Sequence, residues 1–467
     1  MEMRAGLSRI WRLKPVGTWI QSGRRLSFVS AFLLLVGTVY GEPLSRADIL
    51  AGIDNRIERY RKVDIELLLR DPEGAPLPPG TSVRVTQIRQ SFLFGSNIFL
   101  LGRADTPSQE AAYRQRFAEI FNFATLPFYW WSYERDQGKP DTERTEGILQ
   151  WTEEQGIQVK GHPLAWNFVD PRWLPEGNGI AQQLQMDRIE SLVGQFRGRI
   201  DIWDVVNEAT SAEREETLQR SPILTKMIRA IGIRQYLHQA FQRARMAGQE
   251  AALIINDYEV GEEFRTRVLE EMLDSGREPI FDIVGIQSHQ HRGPWSVEKI
   301  WEVCERFAGY GKPLHFTETT FLSGKPGWYL KREDPDLEWE STAEGEVRQA
   351  REVEVFYRVL FSHPAVQAIT WWDFSDQKAW QGAPAGLLRK DMSPKPAYSV
   401  LERLIKQDWS TRLEAIVDDQ GRVRFRGFKG SYELEINVEA GRRSAEFSVE
   451  TDLSRPLEIA FRDEAGR

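Results

Sequence analysis

The chain has 467 residues, 41% hydrophobic and 28% charged, so it can bury a large core and hold more than one domain. Its formal net charge of −8 argues against nucleic acid or an anionic membrane surface as a partner. The single cysteine, Cys304, excludes an intrachain disulfide.

The N-terminus carries Arg4, Arg9, Arg12, Lys14, Arg24 and Arg25, then an apolar run over 26–40 and small residues near Gly41. A basic, then apolar, then cleavable order is that of a secretory signal, and the run is shorter than the roughly 20 residues a membrane span needs. Residues 1–41 are therefore expected to be a signal peptide, and the mature protein to be secreted or periplasmic and free of the membrane. Loss of the six basic residues and the acidic Glu2 moves the formal charge from −8 to −13.

Residues 63–70 and 81–90 alternate apolar and polar side chains around Asp71-Pro-Glu-Gly74 and Leu77-Pro-Pro-Gly80, which predicts a β-hairpin in an N-terminal segment, 42–91. From 92 to 406, strand-like and helix-like stretches alternate. Strands are expected over 92–98, 121–127, 158–166, 200–208, 251–258, 283–289, 313–319 and 368–374, with amphipathic helices over 109–120, 180–196, 224–246 and 344–361. This α/β pattern fits a (β/α)8 barrel better than a doubly wound open sheet, because functional residue types stand at nearly every strand end. After Gln407, period-two segments over 413–417, 423–428, 432–438, 445–449 and 457–461 predict a C-terminal β-strand module, 407–467. Each terminal segment is too small to be stable alone, so the two are expected to pack as one accessory β-module beside the barrel.

Two of the barrel strands finish on a glutamate. Glu208 closes Ile200-Asp-Ile-Trp-Asp-Val-Val-Asn-Glu208, and Glu318 follows Pro313-Leu-His-Phe-Thr317. Facing carboxylates are the minimum equipment for cleaving a glycosidic bond. A retaining mechanism needs one protonated and one ionised, about 5–5.5 Å apart. Sixteen tryptophans provide aromatic faces for sugar rings, although tryptophan also fills cores. A metal reading stays open for His162, His289 and His291, because residues two apart on a strand share a face.

Seven stretches together resemble glycoside hydrolase family 10, the endo-1,4-β-xylanase family. They are Gly161-His-Pro-Leu-Ala-Trp166, Trp203-Asp-Val-Val-Asn-Glu208, Asn256-Asp-Tyr258, Gly285-Ile-Gln-Ser-His289, Phe316-Thr-Glu318, the segment from Trp372 to Trp380, and Pro394-Lys-Pro-Ala-Tyr398. The resemblance implies a retaining hydrolase of internal β-1,4 linkages in xylan or a related β-glycan, with Glu208 as acid/base and Glu318 as nucleophile. It implies substrate contacts from Asn207, at the sugar 2-hydroxyl, and from His162, Trp166, Gln287, His289, Trp372 and Trp380. It brings no metal and no cofactor, and the expected partner is a polysaccharide or oligosaccharide bound by a monomer.

The chain departs from the family after the second barrel strand, where Thr-Pro-Glu-Asn-x-Met-Lys-Trp is usual. Here Thr125-Leu-Pro-Phe-Tyr-Trp-Trp-Ser132 sets Pro127, Phe128 and Trp131 at the glutamate, asparagine and lysine positions. Glu134 is a candidate to reach back as a polar replacement. Thr320 stands where an aspartate usually partners the histidine corresponding to His289, and Asn167 stands where histidine is usual. The loop over 321–344, with Trp328 and Trp339, is expected to border one end of the cleft. These losses leave two alternatives open: a glycosidase for a different β-glycan, or a non-hydrolytic carbohydrate-binding protein on the same barrel.

Overall fold

The computed structural model describes residues 44–327, 334, 337–438 and 441–461. The expected signal peptide over 1–41 and Trp328 lie outside them. Among the described residues no helix is long and apolar enough to cross a membrane.

Two strands precede the barrel, β1 (Lys62–Arg70) and β2 (Ser82–Gln90). The barrel strands are β3 (Leu93–Asn97), β4 (Phe123–Pro127), β5 (Gln158–His162), β6 (Ile202–Asn207), β7 (Ala252–Asp257), β8 (Ile283–His289), β9 (Leu314–Thr320) and β10 (Val366–Trp371). They pair in parallel in chain order, and β10 closes on β3. Every expected barrel strand is present, several with shifted ends. β6 is buried along its whole length, as a strand covered on both faces must be. Close packing between the barrel strands and the outer layer fixes Gly161: a Cβ there would lie 2.1 Å from the Trp203 ring.

Helices fill the outer layer. Thr106 caps Pro107–Ile120, which carries proline in its first turn, and Thr342 caps Ala343–Ser362. The single helix expected over 224–246 is instead two, Pro222–Ile231 and Ile233–Ala247. Gly232, at φ 82°, breaks the helical path between them.

The flanking strands form two sheets. One has the order β12–β1–β15, with β12 at Arg422–Phe428 and β15 at Leu457–Ala460; the other is β11–β2–β13–β14, with β11 at Arg412–Ile416, β13 at Gly430–Val438 and β14 at Gly441–Val449. The hairpin expected within 42–91 does not form, because β1 and β2 enter different sheets and take their partners from the C-terminal segment. Helices Arg46–Ala51 and Ile53–Arg61 precede them, in a stretch with no sequence-based expectation. The apolar faces Val63, Ile65, Leu67 and Leu69 of β1 and Val83 and Val85 of β2 share a core with Tyr432, Leu434, Phe447 and Val449. Both ends of the chain therefore build one accessory module.

That module is joined to the barrel at the strand-start end. The half-buried Arg61 donates to the carbonyls of Phe361 (2.6 Å), His363 (2.5 Å) and Val366 (2.8 Å), and the Trp409 ring stacks on Phe361 at 4.1 Å. The strand ends that carry the glutamates lie at the opposite end of the barrel.

Candidate active site

Glu208 directly follows β6 in the left-handed region, at φ 55° and ψ 46°. The turn that holds it there is tied down from the next strand. Asp257 accepts from the Thr210 backbone N–H (2.9 Å) and hydroxyl (2.7 Å), and the Glu208 N–H donates to Asn256 O at 2.8 Å. A non-glycine residue in this conformation marks a site whose surroundings over-determine it. Glu318 lies within β9 and is 5% exposed.

An amide network links the two carboxyl groups. Gln287 Nε2 donates to Glu208 Oε1 at 3.3 Å and to Asn207 Oδ1 at 3.2 Å. Asn256 Nδ2 donates to the same Asn207 oxygen at 2.7 Å and to Glu318 Oε1 at 3.0 Å. The second Glu318 oxygen faces His289 Nε2 at 3.1 Å, and His162 Nε2 stands 3.8 Å from Oε1. Burial, then the charges of Glu318 and Asp257, push the Glu208 carboxyl up to about 8 from its ordinary 4.5. Burial alone would raise Glu318 too. The His289 hydrogen bond and the fields of His162, His289 and Lys160 outweigh it and hold Glu318 below its ordinary value. The two acids are thus driven to opposite protonation states.

Below them lies a buried charged layer. Asp204 accepts from Lys160 Nζ at 2.5 Å and from His162 Nδ1 at 2.6 Å, all three side chains being essentially inaccessible. Burial would raise Asp204, but Lys160 and His162 reverse this and keep it ionised. Nδ1 of His162 therefore carries a proton and the other ring nitrogen is aimed at Glu318. The signal for Asp204 in the sequence was a charge inside an apolar strand, which a buried site must pair. Asn256 lay within a quoted motif with no role of its own.

The tryptophans wall the cleft. Trp372 meets the His162 ring at 5.4 Å and is 5% exposed; Trp380 lies 4.8 Å from the His289 ring and is 37% exposed. Trp166 stacks on Phe168 at 4.5 Å and tilts against Trp131 at 5.7 Å. Trp339 is buried with Leu322, Ala383 and Ala385, its ring 6.3 Å from His291.

The departures resolve individually. Phe128 is fully buried against Tyr133, Phe196 and Trp203. Trp131 joins the aromatic wall, and Pro127 ends β4. Glu134 does not reach back: its oxygens accept from Trp130 Nε1 (3.0 Å) and Gly138 N (2.7 Å). Thr320 Oγ1 lies 2.8 Å from His289 Nδ1 and donates to Trp372 O at 2.9 Å, so a neutral oxygen meets the histidine where a carboxylate is usual. Asn167 donates to Ala212 O and Thr225 Oγ1, both at 2.8 Å, and ties loops together outside the cleft. Three polar residues with no expected role lie beside these groups: Tyr129 meets the His162 ring, and Asp373 accepts from the buried Asn97 and from the Trp380 N–H. Among the described residues no three His, Cys, Asp or Glu side chains converge to hold a metal, so His162, His289 and His291 do not form a metal centre there.

Comparison with known proteins agrees with this geometry. The sequence model of glycosyl hydrolase family 10 matches residues 92–403. Endo-1,4-beta-xylanase B of Thermotoga neapolitana is 28% identical over 343 residues, covering 70% of this chain and 90% of that protein. The anti-sigma-I factor RsgI6 of Acetivibrio thermocellus is 23% identical over 398 residues, covering 82% of this chain and 46% of that longer protein. The crystal structure of xylanase 10B from Thermotoga petrophila RKU-1 in complex with xylobiose superposes with a TM-score of 0.56 at 23% identity, covering 68% of this chain and 95% of that one, and shares its fold.

Proposed function

The chain belongs to glycosyl hydrolase family 10 and is a retaining glycoside hydrolase, and from that premise we propose that it cleaves internal β-1,4 linkages of xylan or a related β-glycan. Glu208 is the acid/base and Glu318 the nucleophile. The observation that carries this reading is one amide network bridging two glutamates whose surroundings raise one carboxyl and lower the other.

Ionised Glu318 attacks the anomeric carbon while protonated Glu208 donates to the departing glycosidic oxygen, leaving a covalent glycosyl-enzyme. Esterification removes the Glu318 charge that helps to hold the Glu208 proton. Glu208, which has given its proton to the leaving group, therefore stays ionised as the general base, takes a proton from water, and the water displaces Glu318 with net retention. Asn207, its oxygen occupied by Asn256 and Gln287, presents its amide hydrogens to the sugar 2-hydroxyl. Asn256, His289 and His162 orient the nucleophile, Gln287 holds the acid/base, and Trp166, Trp372 and Trp380 hold the ring planes. Residues 1–41 are removed on export, and the secreted or periplasmic enzyme acts as a monomer on a polysaccharide or oligosaccharide.

Reducing-sugar release from a panel of β-glycans tests the reading, with NMR on a defined xylo-oligosaccharide to read the anomeric configuration. Glu318→Ala is expected to abolish release, and equal release by wild type and variant removes Glu318 from the mechanism. Glu208→Ala is expected to keep more activity on aryl glycosides with good leaving groups than on polymer, since those need little acid assistance.

A further inference from the structure

Two polar side chains in the cleft have no part in the double displacement. Tyr129 stands two residues after β4, within the segment where the family's polar contacts are missing. Its ring meets His162 edge-on at 5.4 Å and packs against Trp131 (5.1 Å), Trp166 (5.9 Å) and Phe99 (5.7 Å), and Phe99 in turn meets Trp372 at 5.1 Å. Tyr129 is therefore one side chain from Glu318, because His162 touches both. Among the described residues its hydroxyl makes no hydrogen bond. Asp373 follows Trp372 and is held on both oxygens, by Asn97 Nδ2 at 2.5 Å and by the Trp380 N–H at 2.6 Å. A carboxylate has about four lone-pair positions, so each oxygen keeps room for a further donor.

We propose that Tyr129 and Asp373, the latter positioned by Asn97, form a donor–acceptor pair that grips hydroxyls of a neutral glycone sugar in place of the lost glutamate, asparagine and lysine. The proposal rests on the assignment of Glu208 and Glu318 above, which fixes the reacting centre. A sugar hydroxyl donates one hydrogen bond and accepts others, so a phenol and a carboxylate on one wall complement it from both sides. Burial and the charges of Glu318, Asp373 and Glu208 hold the phenol well above its ordinary range, so Tyr129 remains a donor wherever the enzyme works. The charges of Glu318 and Asp373 disfavour an anionic sugar at this position. Lys160 beneath them is already committed to Asp204.

The test combines binding and turnover in the full-length protein. Xylotetraose binding is measured by calorimetry in a Glu208→Gln background, and kcat/KM on aryl β-xylobiosides in the otherwise native enzyme. Tyr129→Phe, which keeps the ring packing, and Asp373→Asn are each expected to weaken binding and lower kcat/KM about tenfold, the size of one lost hydrogen bond. With mono-deoxygenated glycosides the Tyr129→Phe effect is expected to vanish for the one lacking the contacted hydroxyl, which a merely structural role would not produce. Values within twofold of the parent for both variants, an equal loss on every deoxy substrate, or no xylotetraose binding by the parent would overturn the proposal. Binding that Tyr129→Phe weakens, in a wild type that cleaves nothing, supports the grip and instead refutes the catalytic reading.

Discussion

Glu208, just after β6, and Glu318, within β9, are the same amino acid, and environment drives their carboxyl groups in opposite directions. Glu208 has one amide donor and a like charge nearby, whereas Glu318 has an amide, an imidazole and a buried lysine in its field. The kcat/KM profile is accordingly expected to fall on its alkaline side near pH 8 and on its acidic side below the ordinary glutamate range, as a pH-rate series would show. The shift also affects stability. A carboxyl raised from 4.5 to about 8 binds more protons folded than unfolded between those values, so its contribution is full below pH 4.5 and lost as pH rises through 8. Glu208→Gln removes this loss. Its Tm is expected to exceed that of wild type at pH 8–9, with the difference shrinking to near zero below pH 4.5, in calorimetric scans across pH. Thr320 shows a further consequence of environment: it keeps an oxygen at His289 Nδ1 but supplies no charge there.

At the scale of elements, the barrel strands serve both core and site because each ends where its side chains leave the core. The segment Gly161-His162 illustrates the constraint. Trp203 of β6 occupies the space beside Gly161, and that packing aims the next residue, His162, between Asp204 and Glu318. Gly161→Ala is expected to destabilise the protein by about 1–3 kcal/mol, as overpacking of a dense core does, and to lower kcat as His162 shifts. Urea unfolding and turnover on an aryl glycoside measure the two effects. Gly232 acts differently, by ending one helix and starting the next, which apolar periodicity across 224–246 does not reveal.

Across the whole molecule, the accessory module supports the base of the barrel. On its outer side Arg422 and Arg424 pair with Glu66 and Arg426 with Asp64, each at 2.8 Å, while Phe428, Tyr432, Phe447 and Phe461 are buried. These rings are therefore not available for stacking on a polymer. Arg61→Met removes the guanidinium that donates to the carbonyls of Phe361, His363 and Val366. A loss on the order of 3 kcal/mol in urea-unfolding free energy is expected, with KM for oligosaccharide unchanged because the cleft lies at the other end.

The sequence by itself determined the barrel, the order of its strands and the two glutamates. Each of these is written in local signals: apolar runs of strand length, helical periodicity between them, and acidic residues where the runs stop. Tertiary structure decided the pairing of β1 and β2, because alternation names the buried face of a strand and not its neighbour. It also decided which polar residues enter the cleft. Glu134 turns to its own loop while Asn97, Tyr129 and Asp373, unremarkable in the chain, meet there. Those placements depend on contacts between strands far apart in sequence, which no local pattern encodes.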